Sequence, residues 1–117
     1  MTYGLGQYGE ALAAQYLLKK GYKILQSNFK CKIGEIDLIA QDKEVVVIVE
    51  VKTRSDLSYG MPYEAVNYHK QRKLLKIAQA YLLKRYRTVN VMARFDVLSI
   101  HKDPAGNEHI EHIINAF

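Results

Sequence analysis

The apolar positions in the first half of the chain predict one helix followed by three strands. Residues at helical spacing are Leu5, Tyr8, Leu12, Ala13, Tyr16 and Leu17. Gly21 follows them, where a helix commonly ends. Residues 22–29, 35–41 and 45–52 are rich in β-branched and apolar side chains, which is typical of strands. The last of these is apolar on both faces, which predicts a strand in the interior of the sheet.

A second, longer helical pattern follows a polar loop predicted at residues 55–61. The pattern begins at Pro62, a residue suited to the first turn of a helix, and continues to Leu82. Asn67 is a candidate cap for a second start within this pattern, because its side chain can accept a hydrogen bond from the backbone of the first turn.

Two further strands are predicted near the end of the chain. Residues 89–100 predict a strand with a bulge, and residues 109–114 predict a short strand after a turn at 103–107. His109 and His112 fall on opposite faces of that short strand, so we interpret both as surface residues. The order α-β-β-β-α-β-β predicts an α/β fold with a mixed sheet flanked by helices, in a single domain spanning residues 1–117.

The positive charge of the chain is concentrated in one segment. The 117 residues have a formal net charge of +5, and residues 64–87 hold seven basic residues against Glu64 alone. Such a segment is either a solvated helix face or a surface that attracts a polyanion. The longest apolar run, 45–49, is too short to cross a bilayer, so no membrane partner is expected. A single cysteine and the lack of a signal-peptide pattern predict a cytoplasmic protein.

Charged residues interrupt the two strands of the central hairpin. Glu35 and Asp37 share one face of the first strand, and Glu50 and Lys52 share one face of the second. A two-residue turn at 43–44 would place Asp37 opposite Glu50 and Glu35 opposite Lys52, with the carboxylates about 5 Å apart. A turn that differs by one residue would place Glu50 on the opposite face, so this register is a hypothesis.

Two carboxylates buried side by side require a cation or a proton between them. Carboxylate oxygens favour hard divalent ions, and Mg²⁺ readily shares its ligand shell with phosphate oxygens. Lys52 could orient a water molecule or stabilise charge on a transferring phosphoryl group, which is nuclease chemistry. The alternative is a structural ion pair of Lys52 with Glu50 or Glu35.

These motifs carry a resemblance to a known family. Asp37, twelve intervening residues and then Glu50-Val51-Lys52 resemble the signature of the PD-(D/E)XK restriction-endonuclease-like superfamily, whose core has the predicted element order. Gly9-Glu10, residues 34–40, residues 49–54 and Arg94-Phe95-Asp96 resemble the YraN-type family of bacterial proteins, whose fold is similar to archaeal Holliday junction resolvases.

The resemblance implies a restriction-endonuclease-like fold and specific roles for residues of this chain. The implied catalytic residues are Asp37, Glu50 and Lys52, and the implied metal ligands are Glu10, Asp37, Glu50 and the carbonyl of Val51. The implied cofactor is Mg²⁺, with Mn²⁺ as a substitute. Together with the basic helix, the resemblance makes Thr53, Arg54, Lys70, Gln71, Arg72 and Lys73 candidate nucleic-acid contacts.

The expected function is a metal-dependent endonuclease that hydrolyses DNA phosphodiesters, with branched or Holliday-junction-like DNA as candidate substrates. A homodimer is the natural expectation for junction cleavage, because two strands must be cut. Two alternatives keep the same fold without turnover: a nucleic-acid-binding module and a protein-interaction accessory.

Overall fold

The computed structural model describes residues 5–54 and 67–117, and it describes side chains from residue 8 to 53 and from 67 onward. The predicted loop at 55–61, the helix start at Pro62 and the side chain of Arg54 lie outside this part of the chain. The described elements are α1 (Leu5–Lys19), β1 (Lys23–Lys30), β2 (Glu35–Asp42), β3 (Val45–Arg54), α2 (Tyr68–Tyr86), β4 (Ala93–Lys102) and β5 (Glu108–Ile113).

The five strands form one sheet in the order β1-β2-β3-β4-β5. β3 and β4 are parallel and the other neighbours are antiparallel, so the predicted mixed α/β sheet is confirmed. β3 lies at the centre of the sheet, as its two apolar faces predicted. No helix in the described part of the chain is long and apolar enough to span a membrane.

The two helices cover opposite faces of the sheet. Ala13 and Leu17 of α1 pack against one face in a core that includes Leu38, Val47 and Val49. The core on the other face joins side chains of α2 to β2, β3 and β4; its members include Leu74, Ile77, Tyr81, Ile39, Ile48 and Val97. Burying apolar side chains on both faces is what holds the helices on the sheet.

The predicted register of the central hairpin is confirmed from Leu38↔Val49 to Asp42↔Val45. The ladder ends at Leu38, so Asp37 and Glu50 are not a hydrogen-bonded strand pair. Ile36 packs in the core beneath α2, whereas Leu38 packs in the core beneath α1. Residues two apart normally share a face, so the strand changes its orientation at Asp37.

Both ends of α2 are capped. The Asn67 side chain accepts a hydrogen bond from the backbone N–H of Lys70, which confirms the predicted second helix start. At the other end, Arg87 adopts a left-handed conformation with φ of 64°. The next strand, β4, begins at Ala93 and not at residue 89, because the chain uses the intervening residues to return to the sheet after α2. The predicted bulge is wrong, because β4 pairs with both β3 and β5 in a continuous register.

Candidate active site

Three carboxylates from two elements converge at the edge of the sheet where β2 leaves β3. Glu10 comes from α1, and Glu35 and Asp37 come from β2; one oxygen from each lies within 4.8 Å of the others. A Cβ added at Gly9 would lie 1.9 Å from Thr53 Oγ1, so only glycine lets α1 approach β3 this closely. This approach brings Glu10 to the cluster.

Asp37 is fixed by the irregularity in its own strand. Its Oδ2 atom accepts a hydrogen bond from the backbone N–H of Val51 at 2.9 Å, in place of a regular ladder contact. Burial, followed by the charge of Glu50, raises the pKa of Asp37 to about 7, although the bond from Val51 opposes this shift. The folded protein therefore holds this carboxylate at a free-energy cost that a bound cation would reduce.

Asn28 connects the other two carboxylates of the cluster. Its two neighbours in β1 pair with β2 as Ser27↔Leu38 and Phe29↔Ile36, so Asn28 lies across from Asp37. With its amide nitrogen turned toward the acids, it donates to Glu10 Oε2 at 3.2 Å and to Glu35 Oε1 at 2.7 Å. Burial and the charge of Glu35 raise the pKa of Glu10, and hydrogen bonds with Asn28 and Asp37 oppose this shift.

Glu50 faces two lysines on the α2 side of the sheet. The Lys52 ammonium lies 3.4 Å from Glu50 Oε1, and the Lys70 ammonium lies 2.6 Å from the same oxygen. Burial and the neighbouring Lys70 lower the pKa of Lys52. Burial acts to lower the pKa of Lys70 as well, but hydrogen bonds to Glu50 and Lys52 and the charges of Glu50 and Asp37 together outweigh it and raise the pKa.

The donor set of the cluster fits a hard divalent cation. Four carboxylates and two ammonium groups leave two negative charges when all are ionised. Oxygen atoms of Glu10, Glu35 and Asp37 lie within 4.8 Å of one another, and Glu50 is close enough for its charge to raise the pKa of Asp37. Mg²⁺ and Mn²⁺ favour carboxylate oxygens, so Glu10, Glu35, Asp37 and Glu50 suit these ions by charge and by chemistry.

A groove of about 750 Å³ runs from Glu35 along the first half of α2. Lys70, Arg72 and Lys73 line it, so three of the four predicted helix contacts border the groove that reaches the acidic cluster. Gln71 borders a different groove of about 500 Å³, on the side of Phe95 and Phe117. The Thr53 side chain packs against Gly9 of α1.

Residues 9–100 match the family sequence model of the uncharacterised protein family UPF0102. The chain belongs to the UPF0102 family. This agrees with its resemblance to the YraN-type proteins. A UPF0102 protein of Caldanaerobacter subterraneus subsp. tengcongensis is 52% identical, with 97% of this chain and 93% of the relative covered. A UPF0102 protein of Clostridium botulinum strain 657 is 45% identical over the same shares. A UPF0102 protein of Caldicellulosiruptor bescii is 43% identical, with 88% of this chain and 87% of the relative covered.

A second polar cluster lies between β4 and β5, and it corrects one prediction. His112 was predicted to be a surface residue, but its side chain is 3% exposed and its Nε2 lies 2.7 Å from Asp96 Oδ2. Asp96 is fully buried and also contacts Arg94, at 3.0 Å, and the backbone N–H of Asn115. The Arg94-Phe95-Asp96 motif therefore ties β4 to β5. His109, in contrast, is 51% exposed, as predicted.

The sequence did not predict Glu35 and Asn28 as site residues. Glu35 was predicted only as a possible ion-pair partner of Lys52, and no role in the site was predicted for Asn28. The alternation of β2 did place Glu35 with Asp37, so an acidic pair on one strand was the available signal. Asn28 gave no comparable signal, because its role depends on a left-handed backbone conformation with φ of 53°.

Proposed function

We propose that this protein is a divalent-metal-dependent endonuclease that hydrolyses DNA phosphodiester bonds. The observation that supports this most strongly is the convergence of three carboxylates, with Glu50 and its two lysines close by, at the end of a groove lined by basic residues. A nuclease needs this combination, because an ion must be held next to a site that also attracts the phosphate backbone.

The carboxylates would hold one or two Mg²⁺ ions. Glu10, Asp37 and Glu50 are the proposed ligands, with Glu35 as a fourth and the Val51 carbonyl as a backbone ligand. When bound, Mg²⁺ supplies Lewis-acid activation and neutralises charge on the reacting phosphate. Asp37 is held for this role by the N–H of Val51, and one of its oxygens lies within 4.8 Å of oxygens of Glu10 and Glu35.

Lys52 is the proposed catalytic lysine. Its ammonium group is partly buried and contacts Glu50, so it lies where a phosphoryl oxygen would approach the carboxylates. In that position it would donate a hydrogen bond to the phosphoryl oxygen and stabilise the charge that develops there. Its lowered pKa also makes proton transfer to or from a neighbouring water easier than for a solvent-exposed lysine.

The groove along α2 would bind the nucleic acid through its phosphates. Lys70, Arg72 and Lys73 provide positive charge on one wall, and contacts of this kind are independent of base sequence. Shape would then decide which DNA is cut, and branched DNA remains the candidate substrate. Cleavage of both strands at a junction would require two copies of this site, which favours a homodimer.

The test is cleavage of labelled duplex, flap, single-stranded and four-way DNA of matched sequence, with Mg²⁺ or Mn²⁺ and with EDTA. We expect ion-dependent cleavage that is lost in Asp37→Asn and Lys52→Ala. Glu44→Gln, in the exposed turn between β2 and β3, should cleave as the wild type does. Equal activity in wild type, Asp37→Asn and Lys52→Ala would identify a contaminating nuclease and refute the assignment.

The contact geometry of Glu50 also supports a second candidate function. Both lysines contact the same oxygen of this carboxylate, which is an arrangement that a purely structural ion pair would adopt. A module that binds nucleic acid without cleaving it would keep the basic groove and this ion pair. Salt-sensitive DNA binding with no cleavage in either ion would favour that function over the nuclease.

A further inference from the structure

We infer that Lys70 competes with the divalent ion for Glu50, and that its release from Glu50 couples ion binding to the binding of a nucleic-acid phosphate. This rests on the proposed function and makes Lys70 a positioning residue of that site. The sequence predicted Lys70 only as one of several phosphate contacts on the basic helix. Its contact with Glu50 gives it a different position from those of Arg72 and Lys73, which line the same groove.

The geometry of α2 fixes the backbone of Lys70 and leaves its side chain as the part that can move. Its backbone N–H is held by the capping side chain of Asn67 at 2.9 Å. From there the side chain reaches across to β3 and places its ammonium 2.6 Å from Glu50 Oε1, closer than Lys52 at 3.4 Å. The Lys70 side chain is 36% exposed, whereas that of Glu50 is 9% exposed.

An ion and the Lys70 ammonium cannot both occupy the space in front of this oxygen without strong repulsion. Lys70 therefore acts as a built-in cation that neutralises Glu50 when no divalent ion is bound. Once an ion takes over Glu50, the freed ammonium remains anchored at the start of α2, beside the groove that it already lines. The Lys70 ammonium, which contacts Glu50 in the ion-free protein, would then be able to contact a phosphate in that groove.

The first test measures Mn²⁺ binding by calorimetry in the absence of nucleic acid. Lys70→Met should bind Mn²⁺ roughly tenfold more tightly than the wild type, because a competing positive charge has been removed. Lys84→Met makes the same change of charge in the last turn of α2 and should leave the Mn²⁺ affinity unchanged. Lys70→Arg keeps the competing charge and should bind Mn²⁺ as the wild type does.

The second test measures DNA binding with Ca²⁺ in place of Mg²⁺, by fluorescence anisotropy of a labelled oligonucleotide. Wild type and Lys84→Met should bind DNA more tightly when Ca²⁺ is added, and Lys70→Met should lose most of that increase. Ion binding and DNA binding must strengthen each other by the same factor, so Ca²⁺ titrations with and without DNA should show the same loss of coupling in Lys70→Met.

The outcomes separate this inference from the proposed function. Unchanged or weaker Mn²⁺ binding in folded Lys70→Met, when the wild type binds Mn²⁺ through Asp37, would overturn the competition and leave the metal site in place. Mn²⁺ binding that is absent from the wild type, or insensitive to Asp37→Asn, would overturn both. Lys70→Gln gives the same comparison if Lys70→Met does not fold by circular dichroism.

Discussion

Replacing Asp37 by asparagine should stabilise the ion-free protein, and the gain should grow with pH. The carboxyl group of Asp37 has an ordinary pKa of 3.8, which burial and then the charge of Glu50 raise to about 7 in the folded state. The folded protein therefore binds more protons than the unfolded chain between these values, so stability falls as the pH rises through this window.

The size of the effect follows from the pKa shift. One pKa unit corresponds to about 1.4 kcal/mol, so an ionised Asp37 destabilises the fold by about 4 kcal/mol above pH 7. Asparagine carries no charge, and its carbonyl can still accept the hydrogen bond from Val51. Asp37→Asn should therefore be more stable than the wild type by about 4 kcal/mol near pH 8 and by less than about 2 kcal/mol near pH 5.

The assay is urea unfolding followed by circular dichroism, with EDTA present so that no divalent ion is bound. Glu44→Gln removes a carboxylate from an exposed turn and should change the free energy of unfolding by under about 0.5 kcal/mol at either pH. The reasoning is refuted if Asp37→Asn is no more stable than the wild type near pH 8, or if its gain is the same at both pH values.

Four further substitutions test what holds the site and the surrounding fold in place. Gly9→Ala should destabilise the protein by about 1–3 kcal/mol in thermal unfolding, despite the better helix propensity of alanine, and Thr53→Ala should recover part of the loss by removing the clashing Oγ1. Asp96→Asn should cost about 3 kcal/mol near neutral pH, since it leaves Arg94 with weaker partners. Burial would raise the Asp96 pKa, but His112 and Arg94 lower it below its ordinary 3.8, so the difference should begin to shrink below pH 3.8 and disappear only below the lowered pKa. Asn67→Ala should cost about 1 kcal/mol by removing the cap of α2; a loss near zero would show that the cap is not needed.

The central hairpin was predictable because its signal is local. Valines on both faces predict that β3 is a central strand, and the hypothesis of a two-residue turn at 43–44 gives the register observed from Leu38 to Asp42. The prediction stopped being accurate at Asp37, where the strand turns its side chains toward different cores. That change depends on α1 and α2 packing against opposite faces, which strand alternation does not encode.

The candidate site was predictable to the same degree. The three motif residues, Asp37, Glu50 and Lys52, lie on neighbouring strands and could be placed near one another from spacing alone. The contact between Lys70 and Glu50 depends on where α2 begins and how it crosses β3, so the charge pattern identified Lys70 only as part of a basic segment. His112 was placed wrongly for a related reason, because its partner Asp96 lies on another strand and makes burial of a histidine favourable.

Single-turnover cleavage of a labelled four-way DNA junction, started by adding Mg²⁺, tests most directly whether this protein is a metal-dependent endonuclease. The wild type and Asp37→Asn should be purified in parallel and shown to be folded by circular dichroism. The wild type should form product only with Mg²⁺, and Asp37→Asn should cleave at least about a hundredfold more slowly. Equal rates for the two proteins, or cleavage that continues in EDTA, would contradict it.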